Sequence, residues 1–346
     1  MTEVLSRGAY IMQKDLREFE SAFARFVGCR HAVGVANCTD GLQLALMACG
    51  VAPGDEVILP SHTFVATAGA INACGAVPVV VDSGPDHMID VSTIEAAITE
   101  KTRFLMPVQL NGRVADMDPM LKLAAARNLT IVEDAAQALG ASYKGKQAGT
   151  FGRASAFSFY PAKLLGCFGD GGMVVTDDEA VAAQVTAMRD HGRSPEGRIT
   201  QWGLNSRLDN VQAAVLHHQF RSYEKTIEHR RGLAQRYDEG LSGIGGLVLP
   251  PGPAADPERI DVFQNYEIEG DRRDELKEFL GEHGVGTLIQ WGGQPVHAIK
   301  ELAVRGDAPN TTKIFERCLL LPMNQLLSEA DVDHVIAVTR EFYDAR

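Results

Sequence analysis

No stretch of the sequence comes near the 18 or so consecutive apolar residues of a membrane-crossing helix, so no membrane span is expected. The opening residues, MTEVLSRGAYIMQKDLREFE, have no apolar core behind a basic cluster, and no secretory signal is read. The three N-x-[ST] sequons, at Asn37, Asn128 and Asn310, are then chance matches. The six cysteines (Cys29, Cys38, Cys49, Cys74, Cys167 and Cys318) form no CxxC pair, and most lie in apolar segments. That argues against a metal site or a disulfide frame and for reduced thiols in the cytoplasm. Positive charge is also short. Lys plus Arg is 33 against 45 for Asp plus Glu, a formal net charge of −12, with no run of five or six basic residues. A nucleic acid backbone would repel such a body. The glycine cluster at 166–172 fits neither GxxxxGK[ST] nor GxGxxG in a strand–helix setting, which weakens a nucleotide-loop reading. Internal repeats and low-complexity tracts are absent.

What is present is an ordinary globular chain. Its 45% apolar and 23% charged residues exclude a disordered chain, a collagen-like repeat and a coiled-coil rod. At 346 residues it exceeds the roughly 250–300 that one core can serve, so two domains are expected. Apolar runs suggest strands at His31–Ala36, Glu56–Leu59, Pro78–Asp82, Phe104–Leu110, Thr130–Asp134, Ala154–Phe159 and Met173–Thr176. Helical patterns fall between them, at Lys14–Val27, Thr39–Cys49, Thr63–Cys74, Val91–Ile98, Asp118–Arg127 and Asp178–His191. Val- and Ile-rich strands alternating with helices predict an α/β fold with a mostly parallel sheet covered on both faces. Helices near Ser206–Phe220 and Tyr223–Leu241 follow. The proline-rich LVLPPGPAADPE then reads as a boundary. The remainder predicts a smaller α/β domain, with strands Val262–Ile268 and Thr287–Trp291 and helices Arg273–His283 and Glu329–Tyr343. The expected division is 1–243, a large domain with its connecting helices, and 244–346, a small C-terminal domain.

Four segments could carry chemistry. In FSFYPAKLLGCFGDGG a strand ends in Lys163, and a glycine-rich turn then leads to another strand. Burial among Leu164, Leu165 and aromatics would disfavour the ammonium and make the amine a nucleophile of the Schiff-base kind. A lone lysine at a strand end is more often an exposed surface group. In IVEDAAQ, Asp134 ends an apolar strand, where open α/β sheets keep their ligands. It could hold a pyridinium nitrogen protonated or merely cap a helix. In ANCTDGL, a strand gives way to a helix with Thr39 near the cap, either an anion site or a plain cap. In SHTFVAT, Phe64 opens a helix as core packing or as a flat stacking surface.

Together, a Schiff-base lysine, a strand-end acid, a helix-end anion site and a stacking ring are the parts that hold pyridoxal 5′-phosphate (PLP). At this point the chain resembles the DegT/DnrJ/EryC1/StrS family of nucleotide-sugar aminotransferases. The likeness runs from FVGCRHAVGVANCTDGLQLAL through GDEVILPSHTFVATAGAI, IVEDAAQALGASYKGK, FSFYPAKLLGCFGDGG and GLNSRLDNVQAAVL to LLLPM. The resemblance implies PLP fold type I, aspartate aminotransferase-like, in the large domain. It implies that Lys163 links to the cofactor and that Asp134 pairs with the pyridine nitrogen. Gln137 would lie near the phenolic oxygen, with Phe64 stacked on the ring. Ser158 and the backbone amides of Cys38 and Thr39 would hold the phosphate. Asn205 would reach the phosphate of the neighbouring subunit, giving a homodimer with shared active sites.

The implied reaction moves the amino group of L-glutamate, leaving 2-oxoglutarate, to a keto sugar on a nucleoside diphosphate. GDGG and NSRLD look more like members that act on 3-keto sugars; members acting on 4-keto sugars more often have GEGG. Alternatives are amination at C4, a sugar-acid acceptor, or a PLP-dependent dehydratase, a branch that carries histidine where this chain has Lys163. Two departures from the family pattern are Cys38, where glycine is usual, and Leu110-Asn111-Gly112-Arg113, where aromatic–Gly–Gln is common.

Overall fold

The computed structural model describes residues 2–302 and 304–345. Its strands are β1 (His31–Val35), β2 (Glu56–Pro60), β3 (Val77–Val81), β4 (Thr102–Leu105), β5 (Thr130–Asp134), β6 (Ser142–Tyr143), β7 (Lys146–Gln147), β8 (Ala154–Ser158), β9 (Gly172–Thr176), β10 (Leu247–Val248), β11 (Arg259–Ile260), β12 (Tyr266–Gly270) and β13 (Cys318–Leu321). Seven of them form the main sheet in the order β1-β9-β8-β5-β4-β2-β3. The pairs from β8 to β3 are parallel, and β9 runs antiparallel to both β1 and β8. The predicted mostly parallel sheet is therefore present, with one reversed strand.

Alternate side chains of these strands feed opposite cores, the period-2 consequence of the pleat. Ile58, Ile131, Met173 and Val175 pack with Phe19, Phe23, Phe157 and Leu216 on one face. Val57, Leu59, Val132 and Val174 pack with Leu42, Leu46, Ile71 and Val185 on the other. Both faces are thus covered by helices, which is why these strands are apolar along their whole length. A third core lies on the sheet β10-β12-β13 and joins Tyr266, Ile268, Leu319 and Leu321 to Leu276, Val335 and Phe342. The helix Tyr223–Leu241 spans the boundary: Tyr223 belongs to the first core and Leu233, Tyr237 and Leu241 to the third.

Several boundaries differ from expectation. The strand expected at Phe104–Leu110 ends at Leu105. Beyond it Met106 and Val108 still bond or bridge to neighbouring strands, but the chain then turns through Leu110–Gly112. Thr287–Trp291 is not a strand. Leu288 makes one bridge to Leu320, and a 3₁₀ turn over Gln290–Gly293 follows, with Trp291 at φ 48. The strand expected from Val262 starts at Tyr266, because Phe263 adopts φ 51. The helix expected from Ser206 starts at Asn210, and that expected over Asp178–His191 covers Glu179–Met188, capped by the Asp178 side chain. Unforeseen elements include the two-residue strands β6, β7, β10 and β11, the strand β13, and the helices Thr2–Arg7 and Pro309–Arg317.

A buried ionic clasp joins β12 to the main sheet's loops. Glu267 and Glu269, two apart on β12, face the same way. His87 Nδ1 lies 2.8 Å from Glu267 and its Nε2 lies 3.2 Å from Glu269; His62 Nε2 is 3.5 Å from Glu267. Burial works against the His87 imidazolium, but bonds and charge from the two carboxylates prevail and raise its pKa to about 9. Burial likewise works against the Glu267 carboxylate, and the two imidazoles overcome it, holding its pKa well below the ordinary 4.5.

Glu267→Ala leaves this clasp broken and should lower the unfolding free energy by about 3–5 kcal/mol, as for other broken buried pairs. Chemical denaturation measures it, and a loss under about 1 kcal/mol would contradict the clasp. The pH dependence has a definite sign. The His87 contribution is complete below the ordinary histidine value of 6.5 and fades as pH rises through about 9. The Glu267 contribution is complete above 4.5 and fades as pH falls toward its depressed folded value. Stability should therefore decline on both flanks, and Glu267→Ala should flatten that dependence.

Candidate active site

The residues singled out by sequence, Asn205 excepted, lie at one edge of the main sheet, at or beyond the C-terminal ends of β1, β2, β5 and β8. The hairpin of β8 and β9 sets Ser158 opposite Gly172, so residues 159–171 form a loop at this edge. A strand does not end in the lysine: β8 stops at Ser158, and Lys163 sits in the loop, its backbone N–H donating to the Tyr160 carbonyl at 2.8 Å. Leu164 and Leu165 beside it are buried. Burial lowers the Lys163 pKa, opposed by the nearby Cys38 and Asp134. A desolvated amine of this kind is more readily neutral and nucleophilic than an exposed lysine.

Asp134 closes β5 and is 5% exposed. Its Oδ2 accepts from Thr67 Oγ1 at 2.8 Å and its Oδ1 from the Ala136 amide at 3.1 Å. Burial raises its pKa, and these bonds with the Lys163 charge pull it back. Thr67 is in turn 2.6 Å from Thr63 Oγ1. The sequence reading missed Thr67, although it lies in SHTFVAT, one helical turn after Phe64 and Thr63. The preceding acid, Glu133, points to the other face. It accepts from Gln109 Nε2 and the amides of Gly149, Phe151 and Gly152, which makes it a structural brace for that turn.

The helix Cys38–Ala48 is capped by Asn37, not Thr39: the Asn37 side chain accepts from the Asp40 amide at 2.8 Å. Cys38 and Thr39 are therefore the first two helical residues, whose amides have no acceptor within the helix. Together with the helix dipole they make an anion-binding end. Gly172 is required beside them, since a Cβ there would come within 2.6 Å of the Asn37 carbonyl carbon and 2.8 Å of the Cys38 nitrogen. The Cys38 thiol has its pKa pushed far up by burial and by Asp134, so it is a neutral thiol rather than a reactive thiolate.

Phe64 caps the next helix and is 53% exposed, an open ring rather than core packing. Its centroid is 6.3 Å from that of Trp291, which also meets His62 edge-on at 5.5 Å. Gln137 accepts from the Asn111 amide through Oε1 at 2.7 Å, leaving its Nε2 as the free donor end. Ser158 Oγ accepts from the Tyr160 amide at 3.3 Å and keeps its own proton to donate. Asn205 is exposed and bridges Asp190 through its backbone, and the next residue, Ser206, accepts from the Ala36 amide through Oγ at 3.2 Å.

The donor set fits a phosphorylated pyridine aldehyde: free helix-end amides and a hydroxyl for a phosphate, a buried carboxylate for a ring nitrogen, and a desolvated amine for a carbonyl. His62, His87 and Glu267 bring three potential metal-ligand atoms within 4.8 Å of one another. Both nitrogens of His87 are, however, engaged by carboxylates, which marks a paired imidazolium and leaves that ring no lone pair for a metal. Among the described residues, no helix is long and apolar enough to cross a membrane.

The chain is 41% identical over 348 residues to dTDP-3-amino-3,4,6-trideoxy-alpha-D-glucose transaminase of Streptomyces venezuelae, covering 99% of this chain and 90% of that protein. It is 36% identical to UDP-2-acetamido-2-deoxy-3-oxo-D-glucuronate aminotransferase of Pseudomonas aeruginosa, covering 96% and 92%. Among solved structures it superposes on S. venezuelae DesV, determined in complex with a ketimine intermediate, with TM-score 0.94, 41% identity, and coverage of 99% of this chain and 93% of that one. The solved structures it superposes on are PLP-dependent aminotransferases of fold type I, and the chain has that fold, as expected from the sequence. Residues 1–340 match the model of the DegT/DnrJ/EryC1/StrS aminotransferase family, and the chain belongs to that family.

Proposed function

We propose that this aminotransferase moves the amino group of L-glutamate to C3 of a keto sugar carried on a nucleoside diphosphate. The observation that carries the reading is the desolvated Lys163 amine beside the buried Asp134 carboxylate, at the ligand edge of the sheet. The acceptor class rests on relatives named for 3-amino and 3-oxo nucleotide sugars, at 41% and 36% identity. The GDGG and NSRLD segments favour the same carbon.

In this reading PLP, when bound, supplies an electrophilic carbonyl carbon and a ring that accepts electrons. The amides of Cys38 and Thr39 and the Ser158 hydroxyl hold its phosphate, Phe64 lies against its ring, and Gln137 Nε2 donates to its phenolic oxygen. Asp134, oriented by Thr67, keeps a proton on the ring nitrogen. Lys163 Nζ takes the proton from the α-carbon of glutamate and returns one to C3 of the sugar in the second half of the cycle. Leu164 and Leu165, buried beside Lys163, keep water from the amine.

We further propose a cytoplasmic homodimer in which Asn205 serves the partner's phosphate. The resemblance of Asn205 to a residue that reaches across to the neighbouring subunit, together with its exposure on the surface, supports this. The division 1–243 and 244–346 remains our proposal for the domains, with the helix Tyr223–Leu241 as connector.

Three outcomes test the reading. Borohydride followed by peptide mapping should fix the cofactor on Lys163, and Lys163→Ala should lower kcat by at least about 10²–10⁴, the usual range for losing a general base. Label on another lysine would overturn the assignment. Offered matched 3-keto and 4-keto nucleotide sugars with glutamate, the enzyme should place nitrogen at C3 by NMR. Amination at C4 alone would overturn the regiochemistry, and turnover of neither would favour another acceptor. Finally, Asn205→Ala and Lys163→Ala chains, once mixed, should regain activity above the mean of the two parents, because a mixed dimer holds one intact site. No recovery after verified exchange, with each parent impaired, would contradict a shared site.

A further inference from the structure

Lys163 lies in a loop, where no regular ladder fixes its main chain. Apart from the local bond of its own N–H to Tyr160, the groups that fix this stretch come from far along the sequence. Gln264, 7% exposed and just ahead of β12, accepts from the Leu164 amide through Oε1 at 3.0 Å. Its Nε2 donates to the Ala162 carbonyl at 2.9 Å. One side-chain amide thus bridges the residues before and after Lys163, as a strand would. Gln325 Nε2 adds a third bond, to the Leu164 carbonyl at 2.7 Å.

Gln264 is itself held. The buried Arg230 donates through Nη1 to the carbonyls of Phe263 and Gln264, at 3.0 and 2.9 Å. Phe263 is in the left-handed region at φ 51. The turn at Gly112 packs so closely that a Cβ there would lie 2.8 Å from the backbone nitrogens of both Phe263 and Gln264. A non-glycine residue at positive φ costs free energy and persists where its surroundings over-determine it. Here those surroundings aim Gln264 at the lysine loop.

We propose that Gln264 is a positioning residue that sets the Lys163 amine by clamping the main chain on either side of it, with Gln325 as a weaker second hold. This rests on the reading of Lys163 as the proton-transferring amine. Misplacing a catalytic group by about 1 Å can cost on the order of 10²-fold in rate. The clamp needs both ends of an amide. A carboxylate of the same shape has no donor for the Ala162 carbonyl when ionised, but regains one when protonated.

The experiment compares the wild-type holoenzyme with Gln264→Leu, Gln264→Glu, Gln325→Ala and Lys163→Ala. Gln264→Leu should lower kcat about 10–100-fold with KM for glutamate changed less than about 3-fold. It should also speed hydrogen exchange at the Leu164 amide at least about 10-fold, read on the protein without turnover. Gln264→Glu should match it at high pH and recover relative to wild type as pH falls and the new carboxyl protonates. Gln325→Ala, on an exposed residue, should lose about 2–5-fold and covers the case in which the Gln264→Leu chain does not fold. Wild-type kcat and unchanged Leu164 exchange in folded Gln264→Leu would overturn the clamp. If that variant does not fold, wild-type kcat in Gln325→Ala together with no relative pH recovery in Gln264→Glu would do so. Undiminished turnover in Lys163→Ala would instead overturn the role of the lysine itself.

Discussion

The antiparallel pairing of β8 with β9 is the constraint on which the site depends. It lays Ser158 against Gly172 and returns the chain at the edge where the parallel strands end. A right-handed crossover would have carried the segment after β8 over a face of the sheet. The reversal instead keeps Lys163 beside the end of β5, within reach of the Asp134 charge. It also brings Gly172 against the start of the helix Cys38–Ala48, so the lysine loop, the acid and the anion-binding helix end share one small volume.

Around that edge the protein spends buried polarity in two different ways. Glu133 and Asp134 are adjacent, and the pleat sends them to opposite faces. Glu133 is saturated by an amide side chain and three backbone donors, as a structural carboxylate must be. Asp134 receives two donors and keeps acceptor capacity for a ligand. The clasp of His62, His87, Glu267 and Glu269 follows the structural pattern, and it ties β12 to the loops after β2 and β3. Because Gln264 precedes β12 in the same segment, the C-terminal sheet and the lysine loop are mechanically joined.

Much of this was legible in the sequence, because continuous Val- and Ile-rich runs bounded by helical patterns have few other solutions. β1, β2, β3, β5, β8 and β9 fall where those runs predicted, and Asp134 and Lys163 are close enough to feel each other's charge. What escaped depends on context. Thr287–Trp291 has the composition of a strand, yet Trp291 at φ 48 followed by two glycines turns it aside. β13 is four residues long, too short for periodicity to declare it. Thr39 looked like the cap because Thr is a good one, but Asn37, better still, stood two residues earlier. Gln264 acts on main-chain atoms 100 residues away, and neither its type nor its spacing carries that information.

The central claim is that Lys163, Asp134 and the helix end at Cys38 form one transaminating centre. The measurement that tests it most directly is the absorbance of the PLP-loaded protein on addition of L-glutamate alone, without any sugar. The account predicts that the yellow band is replaced by that of the amine form of the cofactor, with one equivalent of 2-oxoglutarate released per protomer, and that Lys163→Ala abolishes the conversion. A band unchanged by glutamate and other amino donors, in protein that holds its full complement of cofactor, would contradict it.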